Sequence, residues 1–267
     1  MLQKNKLIDV QLSLYHASES SVAKINQPFI HLNKKILHTP NQNHILNALP
    51  LAESESIIQH LELVQLTVGE MLCGSGEKIH YAYFPTSCIL SLHHILESGR
   101  TSEVAGVGKE GMVGIALFMG GDSTPSSIVV QITGFAYRLE SRILKKAFKS
   151  NIAFQRLLLR YTQVLLTQIS LTAVCNRHHN LQQQLCRWLL LTLDRLETNE
   201  ITMTQELVAG MLGVRREGIT EAASNLQQQG IISYRRGHIT VTNRAGIERQ
   251  VCECYSVLKK EILQLIL

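Results

Sequence analysis

Three charged side chains, Arg215, Arg216 and Glu217, stand together at the start of a segment whose spacing predicts a helix. A guanidinium can donate two parallel hydrogen bonds to O6 and N7 of guanine, and a carboxylate can accept a hydrogen bond from N4 of cytosine. Thr220 and Glu221 follow one turn later on the same predicted helix. This set of side chains predicts contacts with base edges in the major groove of double-stranded DNA.

A second group of candidate contacts consists of Thr204, Arg235 and Arg236. The two arginines lie in a turn, completed by Gly237, between two segments predicted to form a β-hairpin, and Thr204 is a favourable helix N-cap. Side chains of these types bind phosphate oxygens, which position a protein on DNA without reading its sequence. The alternative interpretation is that all these charges are ordinary solvated groups on a domain that binds protein.

The spacing around these residues predicts a helix-turn-helix, with helices over 205–212 and 215–229. Small or apolar residues stand where two such helices cross or lock together, and glycine stands where the turn takes positive φ. These positions are Ala209, Gly213, Ile219 and Ala222. Because a hairpin is predicted over 231–234 and 238–241, the whole segment is predicted to be a winged helix.

The region before residue 140 has the character of a β domain. Short apolar or alternating segments are separated by Gly, Pro and Ser, a pattern that favours an antiparallel roll or sandwich over a parallel sheet. The predicted strands cover 63–66, 79–84, 88–96, 128–132 and 135–139, and short helices are predicted over 44–49 and 53–61. We therefore expect one compact, barrel-like β unit.

A change of period at residue 152 predicts a long helix. Apolar side chains follow a three-four spacing, which is typical of a seam between two helices, and the predicted dimerisation residues are Phe154, Leu157, Tyr161, Val164 and Leu171. Leu158 and Leu165 widen this stripe, so the helix can face both a partner helix and its own β unit. The alternative is a helix that packs only within its own chain. A second amphipathic helix is predicted over 181–196.

Together these elements predict an α+β protein with an N-terminal antiparallel β-roll, a long dimerisation helix and a C-terminal winged helix-turn-helix. The expected division is a poorly ordered extension over 1–42, the β-roll over 43–149, the dimerisation helix over 150–175, the winged helix over 176–250 and a C-terminal helix over 251–267.

Composition excludes several classes of protein. Of 267 residues, 45% are hydrophobic and 18% charged, which is typical of a globular chain and unlike a disordered or coiled-coil one. The net charge of +5 is compatible with nucleic acid but too small to identify it as the partner. Six cysteines are too few for a secreted disulfide scaffold, and we expect reduced thiols, a cytoplasmic protein and no membrane span.

From about residue 43 to its C-terminus the chain resembles a transcription regulator of the Crp/Fnr superfamily, and the most specific segment is 203–241. By this resemblance Arg216 and Glu217 match the Arg-Glu pair that begins the family's recognition helix, whereas Glu221 departs from the pattern and puts the target sequence in doubt. The resemblance implies a cyclic-nucleotide-binding-like β-roll, a homodimer, DNA as partner, RNA polymerase as a candidate further partner and an effector of unknown type.

The segment 107–114 resembles a subgroup of the family whose sensor domain has no general ligand assignment. The family's cyclic-nucleotide sites hold the phosphate with an Arg and the ribose with a Glu, and the corresponding region here spans 111–130. No Glu follows Gly111, and Ser126 stands where the Arg is expected. We therefore expect no conventional cyclic-nucleotide binding, because a buried phosphodiester needs a compensating charge. Lys109 or Arg138 could supply that charge in a remodelled pocket.

Residues 106–111 match the pattern GxGxxG, which raises the lesser alternative of a nucleotide-dependent enzyme. A dinucleotide site also needs a preceding parallel strand, a following helix and an acidic residue about 20 positions later. Asp122 is too near and the flanks alternate like short strands, so a turn within the β-roll is the better interpretation. No nucleophile, base and acid can be assembled, and we expect no enzyme activity.

The cysteines and histidines do not predict a metal or another cofactor. If Cys252 and Cys254 lie on one helix, their side chains are about 200° apart around its axis and cannot bind one ion together. Cys175 with His178 or His179 is the plausible cluster, but hydrogen bonding between domains is the more ordinary role for such a junction. No cysteine precedes residue 43, which excludes the N-terminal iron–sulfur sensor of some relatives.

The expected function is that of a homodimeric, sequence-specific, DNA-binding transcription regulator. The main alternative is a sensor or scaffold protein whose winged helix binds protein. The sequence does not indicate the effector, the operator, or whether transcription is activated or repressed.

Overall fold

The computed structural model describes residues 38–266. The extension predicted over 1–42 therefore lies outside the described residues except for its last five. Those five are ordered against the protein: a short 3-10 helix spans Pro40–Gln42, and the Tyr137 hydroxyl donates a 2.9 Å hydrogen bond to the His38 carbonyl. The described chain is a β-roll, a long central helix and a winged helix, as the sequence predicts.

The β-roll begins with two short helices, α1 (His44–Asn47) and α2 (Leu51–Ile58). Its strands are β1 (Glu62–Leu66), β2 (Met71–Cys73), β3 (Tyr81–Pro85), β4 (Ile89–Ile95), β5 (Thr101–Val107), β6 (Ser127–Ile132) and β7 (Gly134–Glu140). They form one sheet in the order β2-β6-β4-β5 and another in the order β1-β7-β3, with every pairing antiparallel. The two sheets enclose a common apolar core.

Strands β2 and β5 are absent from the sequence prediction, for different physical reasons. β2 has only three residues, too few to show a period. β5 contains Thr101, Ser102 and Glu103 in its first half, and its last apolar residues run into a glycine-rich loop that resembles a turn. Its backbone pairing with β4 makes it a strand, although its own sequence has no strand pattern. The Gly-rich segment 106–111 thus begins within the last two residues of an antiparallel strand, and the next regular element is a one-turn 3-10 helix, Ile115–Leu117.

Two consecutive helices leave the β-roll. α3 (Ser141–Ser150), which the sequence does not predict as a separate element, is followed by α4 (Ile152–His178). Asn151 separates them, and its side chain caps α4 by accepting a 2.8 Å hydrogen bond from the Phe154 amide. By length and composition alone α4 could span a membrane. Its buried side chains nevertheless pack in the protein core, as those of a core helix do.

The winged helix begins at α5 (Leu181–Leu193), whose N-terminus carries an Asn180 capping box. Then follow β8 (Glu200–Thr202), α6 (Gln205–Leu212), α7 (Arg216–Gln228), β9 (Ile232–Arg235), β10 (His238–Val241) and α8 (Arg244–Gln250). The sheet order is β8-β10-β9. β8 is missing from the sequence prediction because only Ile201 of its three residues is buried.

The last helix, α9 (Glu253–Ile266), returns to the central helix. It lies antiparallel to α4: Cys252, just before α9, is close to Cys175, and the Gln264 carbonyl near its other end accepts a hydrogen bond from the Arg160 guanidinium. The C-terminal helix therefore runs from the winged helix back along α4, the helix that joins both domains.

Candidate nucleic-acid interface

The helix-turn-helix positions inferred from the sequence have the expected environments. Ala209, Ile219 and Ala222 are at most 5% exposed, between α6 and α7. Gly213 has φ of 68°, a left-handed conformation that glycine adopts without steric cost. The Val214 amide closes the turn by donating a 3.0 Å hydrogen bond to the Ala209 carbonyl. These contacts fix the angle at which α7 leaves the turn.

Helix α7 divides cleanly into two faces. Its inner face buries Ile219, Ala222, Ala223 and Leu226 at helical spacing. Its outer face exposes all five candidate base-reading residues, Arg215, Arg216, Glu217, Thr220 and Glu221. Arg215 is the N-cap residue; its guanidinium has no acceptor with which to cap the helix amides, and the residue is exposed. The outer face of α7 therefore presents donors and acceptors to a partner.

The wing brings two further cations beside this helix. β9 and β10 are joined by a two-residue turn in which Arg236 has φ of 48° and Gly237 has φ of 81°, the geometry of a type I′ hairpin. The turn is one residue shorter than predicted because Arg235 belongs to β9. Both arginines are exposed.

Tyr234 connects the wing to the segment just before α6. Its hydroxyl donates a 2.7 Å hydrogen bond to the Met203 carbonyl. Burial raises the pKa of this phenol, and the Arg216 guanidinium acts in the opposite direction, as expected when that guanidinium lies near the ring. The wing and the start of α7 thus belong to one continuous surface.

Thr204 and Gln205 mark the edge of this surface. Thr204 is half-buried, and its hydroxyl caps α6 by accepting a 3.3 Å hydrogen bond from the Leu207 amide. Gln205 was missed by the sequence interpretation, although its side-chain carbonyl accepts a 2.7 Å hydrogen bond from Thr220 on α7. No local sequence signal marks this contact, because it depends on the packing of α6 against α7.

The charges of this surface have no partners within the described chain. Between residues 38 and 266, none of Arg215, Arg216, Arg235 and Arg236 forms an ion pair. The positive end of the α7 dipole lies beside them and also favours an anion. The surface is therefore a cluster of solvated cations suited to phosphate and base edges.

A buried ion pair joins the β-roll to the winged helix. Arg195, which follows α5, donates a 2.8 Å hydrogen bond to Glu110 in the loop after β5, and the two side chains are 7% and 10% exposed. Arg195 also donates to the Gly106 carbonyl at 2.8 Å, and Gln168 of α4 donates to the same oxygen at 3.0 Å. Three parts of the protein thus converge at the glycine-rich loop.

The helix-turn-helix also rests directly on strand β5. A Cβ atom at Gly213 would lie 3.1 Å from the Ser102 hydroxyl, and Thr101 donates a 3.5 Å hydrogen bond to the Gly210 carbonyl. A movement of β5 would therefore shift the turn that orients α7.

Residues at the expected phosphate site of the sensor domain make contacts within the protein. Ser126 is 9% exposed and its hydroxyl lies 3.1 Å from His94 Nε2. Arg138 makes two 2.9 Å hydrogen bonds to the Glu62 carboxylate of the neighbouring strand. Tyr161 of α4 packs so closely over Gly111 that a Cβ atom there would lie 2.4 Å from its ring. Lys109 alone among the suggested substitutes is partly exposed and free of an ion pair in residues 38–266.

The predicted dimerisation residues of α4 face the protein's own core. Phe154, Tyr161 and Val164 are at most 5% exposed, and Leu157 and Leu171 are partly buried against the same core. The exposed face of α4 is a different row, Ile152, Leu159, Leu166 and Ala173, which are spaced by seven residues. The sequence of α4 is apolar on two faces, so its pattern alone does not show which face meets the core. The face with the aromatic residues Phe154 and Tyr161 is the one that packs against the β-roll.

The cysteine geometry differs from the sequence interpretation. Cys252 and Cys254 do not both lie on a helix, because α9 begins at Glu253 and Cys252 precedes it. The conclusion that they cannot face one point is therefore wrong. Their sulfurs, the Cys175 sulfur and one ring nitrogen of His179 all lie within 4.8 Å of one another, while His178 is exposed and outside this group.

Two family profiles match separate parts of the chain. The profile of the cyclic nucleotide-binding domain matches residues 63–151, and that of the Crp-like helix-turn-helix domain matches residues 183–250. No curated protein matches the chain.

Solved structures show the same fold. A protein from Eubacterium rectale, described as a transcriptional regulator of the crp/fnr family, is 18% identical with a TM-score of 0.63, and the match covers 79% of this chain and 98% of that one. FixK2 from Bradyrhizobium japonicum is 19% identical with a TM-score of 0.61, covering 72% and 98%. The c-di-GMP responsive global regulator CLP of Xanthomonas campestris is 14% identical with a TM-score of 0.55, covering 72% and 99%.

Both matched domains occur in one chain, in the order and with the connecting helix that these regulators have. The helix-turn-helix is of a kind that binds DNA, and the family consists of regulators, which are not enzymes. The chain therefore belongs to the Crp/Fnr superfamily of transcription regulators.

Proposed function

We propose that the protein is a homodimeric regulator that binds specific DNA sequences through α7 and the wing. The observation that carries this proposal is the exposed surface formed by Arg215, Arg216, Arg235 and Arg236, whose charges have no ion-pair partner in residues 38–266. Four exposed guanidiniums at one helix end and on the adjacent wing suit the phosphates and base edges of DNA.

The proposed contacts follow from position. Arg215, Arg216, Glu217, Thr220 and Glu221 enter the major groove and meet base edges, because recognition helices read bases near their N-terminal ends. Arg235, Arg236 and the backbone around Thr204 meet phosphates on either side of the groove. Two such surfaces in a symmetric dimer read half-sites one helical turn apart, about 34 Å.

The proposed dimer contact is the exposed row of α4: Ile152, Leu159, Leu166 and Ala173. A seven-residue repeat keeps one face toward a second, equivalent helix, which makes another copy of this chain the best-fitting occupant. Leu159 and Leu166 are 51% and 49% exposed in the single chain, and a second copy packed on this row would bury them.

Acidic substitutions in the exposed row of α4 test the proposed dimer contact. Leu159→Glu and Leu166→Glu place like charges across the proposed seam and should convert a dimer to a monomer in sedimentation velocity. Leu96→Glu is the matched control, since Leu96 is a leucine with 54% exposure in a β-roll turn. A dimer that survives both α4 substitutions contradicts this interface.

We further propose that the sensor does not hold a conventional cyclic nucleotide. The support comes from Ser126, which occupies the expected arginine position and contacts His94, and from Arg138, which is held by Glu62. A signal in the β-roll would act on DNA binding by shifting the population of dimers through α4 and β5, both of which contact the winged helix. Co-purification with the full-length protein tests for an effector and for contact with RNA polymerase.

Selection of binding sites from random DNA, followed by a salt titration on the selected site, tests the proposed function. We expect enrichment of an inverted repeat and a steep loss of affinity with salt, because each neutralised phosphate releases counterions. Absence of affinity for any DNA at low salt contradicts the proposal and favours the protein-binding alternative. Enrichment of a single half-site would retain specific recognition and reject the dimer.

A further inference from the structure

Four potential metal ligands meet at the junction of the central helix and the winged helix. The Cys175 and Cys252 sulfurs are 3.6 Å apart, and the Cys254 sulfur lies 3.7 Å from His179 Nδ1. All four ligand atoms are within 4.8 Å of one another. Each of the three cysteines is at most 4% exposed.

The 3.6 Å sulfur–sulfur distance and the 3.7 Å sulfur–nitrogen distance match two edges of a tetrahedral thiolate–imidazole site. Metal–sulfur bonds of about 2.3 Å and metal–nitrogen bonds of about 2.0–2.1 Å place neighbouring sulfurs ~3.8 Å apart and sulfur and nitrogen ~3.6 Å apart. The spread is too small for a four-iron cluster, which binds each thiolate to a different iron. A single ion with four ligands is the arrangement that fits.

A second contact supports the same assignment. The other ring nitrogen of His179, Nε2, lies 3.3 Å from the Glu253 carboxylate. A histidine that binds a metal through one nitrogen commonly donates its second N–H to a carboxylate, which fixes the ring orientation and tautomer. Here the carboxylate comes from the residue between Cys252 and Cys254, so one short segment provides two ligands and the group that orients a third.

We propose that Cys175, His179, Cys252 and Cys254 form a mononuclear site for a thiophilic divalent cation of the Zn²⁺ type. Three thiols lose their protons on binding, and with neutral His179 the site carries a net charge of −1. The Arg187 guanidinium lies nearby: it is 6% exposed, hydrogen-bonds Thr172 three residues before Cys175, and has an Nε without a partner in the described residues. Its positive charge offsets that of the site.

The position of the site suggests what the ion does. Cys175 and His179 are at the end of α4, whereas Cys252 and Cys254 are at the start of α9, beyond the whole winged helix. Asn180, at the α4–α5 junction, directly follows the ligand His179 and begins the stretch of chain that leads to the recognition helix. A bound ion would close this loop of chain and hold the winged helix at one angle to α4.

The metal content of tag-free, full-length protein purified under reducing conditions tests the proposal. We expect about one zinc per chain by plasma mass spectrometry, because a Cys₃His set of this geometry is a complete structural zinc site. After exchange with Co²⁺ we expect thiolate-to-cobalt charge-transfer bands and the intense visible bands of tetrahedral cobalt. Neither readout depends on DNA, so failure of this site and failure of the proposed function are distinguishable.

Matched variants locate the site. Cys254→Ser and His179→Ala should lose the cobalt bands and bound zinc, whereas Cys186→Ser and His178→Ala should retain both. Cys186 is another buried cysteine, and His178 is the adjacent histidine. Glu253→Gln keeps every ligand and should weaken zinc binding about 10- to 100-fold in competition with a chelator. Circular dichroism before and after metal removal identifies any variant that is simply unfolded.

Three results would overturn the assignment. The first is a wild-type chain that binds no zinc or cobalt after reduction and incubation with the metal alone. The second is equal metal retention by the ligand variants and by their matched controls. The third is a Cys175–Cys252 disulfide, found by mass spectrometry after reducing purification, which would make the pair a redox site.

Discussion

The charges on the winged-helix surface and the charges at the domain junction differ in their surroundings. Arg215, Arg216 and Arg236 are exposed and have no ion-pair partner in the described chain. Arg195 and Glu110 are almost fully buried, 2.8 Å apart, and bonded further to the backbone of the glycine-rich loop. The first group is arranged to meet another molecule, whereas the second holds two parts of one molecule together.

This difference decides what removal of a charge should do. A solvated guanidinium contributes little to folding, so its loss should appear in binding. A buried guanidinium that is removed leaves its carboxylate desolvated and unpaired, so its loss should appear in stability.

The largest expected effect is at the buried pair. Arg195→Met should lower the free energy of unfolding by about 3–5 kcal/mol, because Glu110 is left buried without a counter-charge. Urea denaturation followed by circular dichroism measures this loss. Glu110→Gln added to Arg195→Met should recover part of it, since the double variant buries no unpaired charge.

An exposed pair provides the control. Arg138→Met removes the Glu62 ion pair, whose side chains are 30% and 60% exposed, and should cost less than about 1 kcal/mol. Equal losses from Arg138→Met and Arg195→Met would contradict the distinction between paired groups at the surface and at the junction.

A buried histidine in the β-roll should give the next largest effect. His93 is 5% exposed, neither ring nitrogen has a partner in the described residues, and burial lowers its pKa from 6.5 to about 4. Above pH 6.5 both folded and unfolded chains hold it neutral; as pH falls toward 4, only the unfolded chain gains the proton. Stability should therefore fall with pH by up to about 3 kcal/mol.

Unfolding free energies of the wild type and of His93→Leu at pH 7.5, 6 and 5 test this loss. Groups common to both proteins cancel in the difference, so the variant should show a smaller decline with acid. His178→Leu, which changes an exposed histidine, should follow the wild type. Parallel curves for wild type and His93→Leu would show that His93 does not carry the acid sensitivity.

The winged helix was predictable because its signals are local. Helix spacing, a Thr204 N-cap, Gly213 in the turn and Gly237 in the wing all act within a few residues, and the structure gives α6 with the predicted bounds. The cations at the start of α7 needed no tertiary information to be recognised. Gln205 was missed because its contact with Thr220 depends on the packing of two helices.

The β-roll and the junction were less predictable because their order comes from distant parts of the chain. Strand β5 is defined by pairing with β4, and the face of α4 that meets the core is selected by Phe154 and Tyr161 fitting the roll. The Cys175, His179, Cys252 and Cys254 cluster joins residues as much as 79 positions apart. A spacing rule applied to Cys252 and Cys254 failed because it assumed the wrong start of α9.

On the exposed surface, Arg216→Ala should cost about 1–3 kcal/mol of DNA-binding free energy and relax the preference at one base pair. A guanidinium on a base edge contributes to discrimination, while folding stability should be unchanged because the side chain is solvated. Binding measured on the selected site and on each single-base substitution tests this pattern. A uniform loss on every sequence would reassign Arg216 to a phosphate.

The smallest expected effect on folding is at the tip of the wing. Arg236→Gly removes a non-glycine residue from φ of 48°, which relieves strain, but it also adds freedom to the unfolded chain, so stability should change by less than about 1 kcal/mol. Binding should weaken on all sequences, and the salt slope should fall by about 1 because one phosphate contact is lost. Arg236→Lys should keep the slope. An unchanged slope in Arg236→Gly would show that the wing's tip does not touch DNA, and the strained arginine would then need another reason to be there.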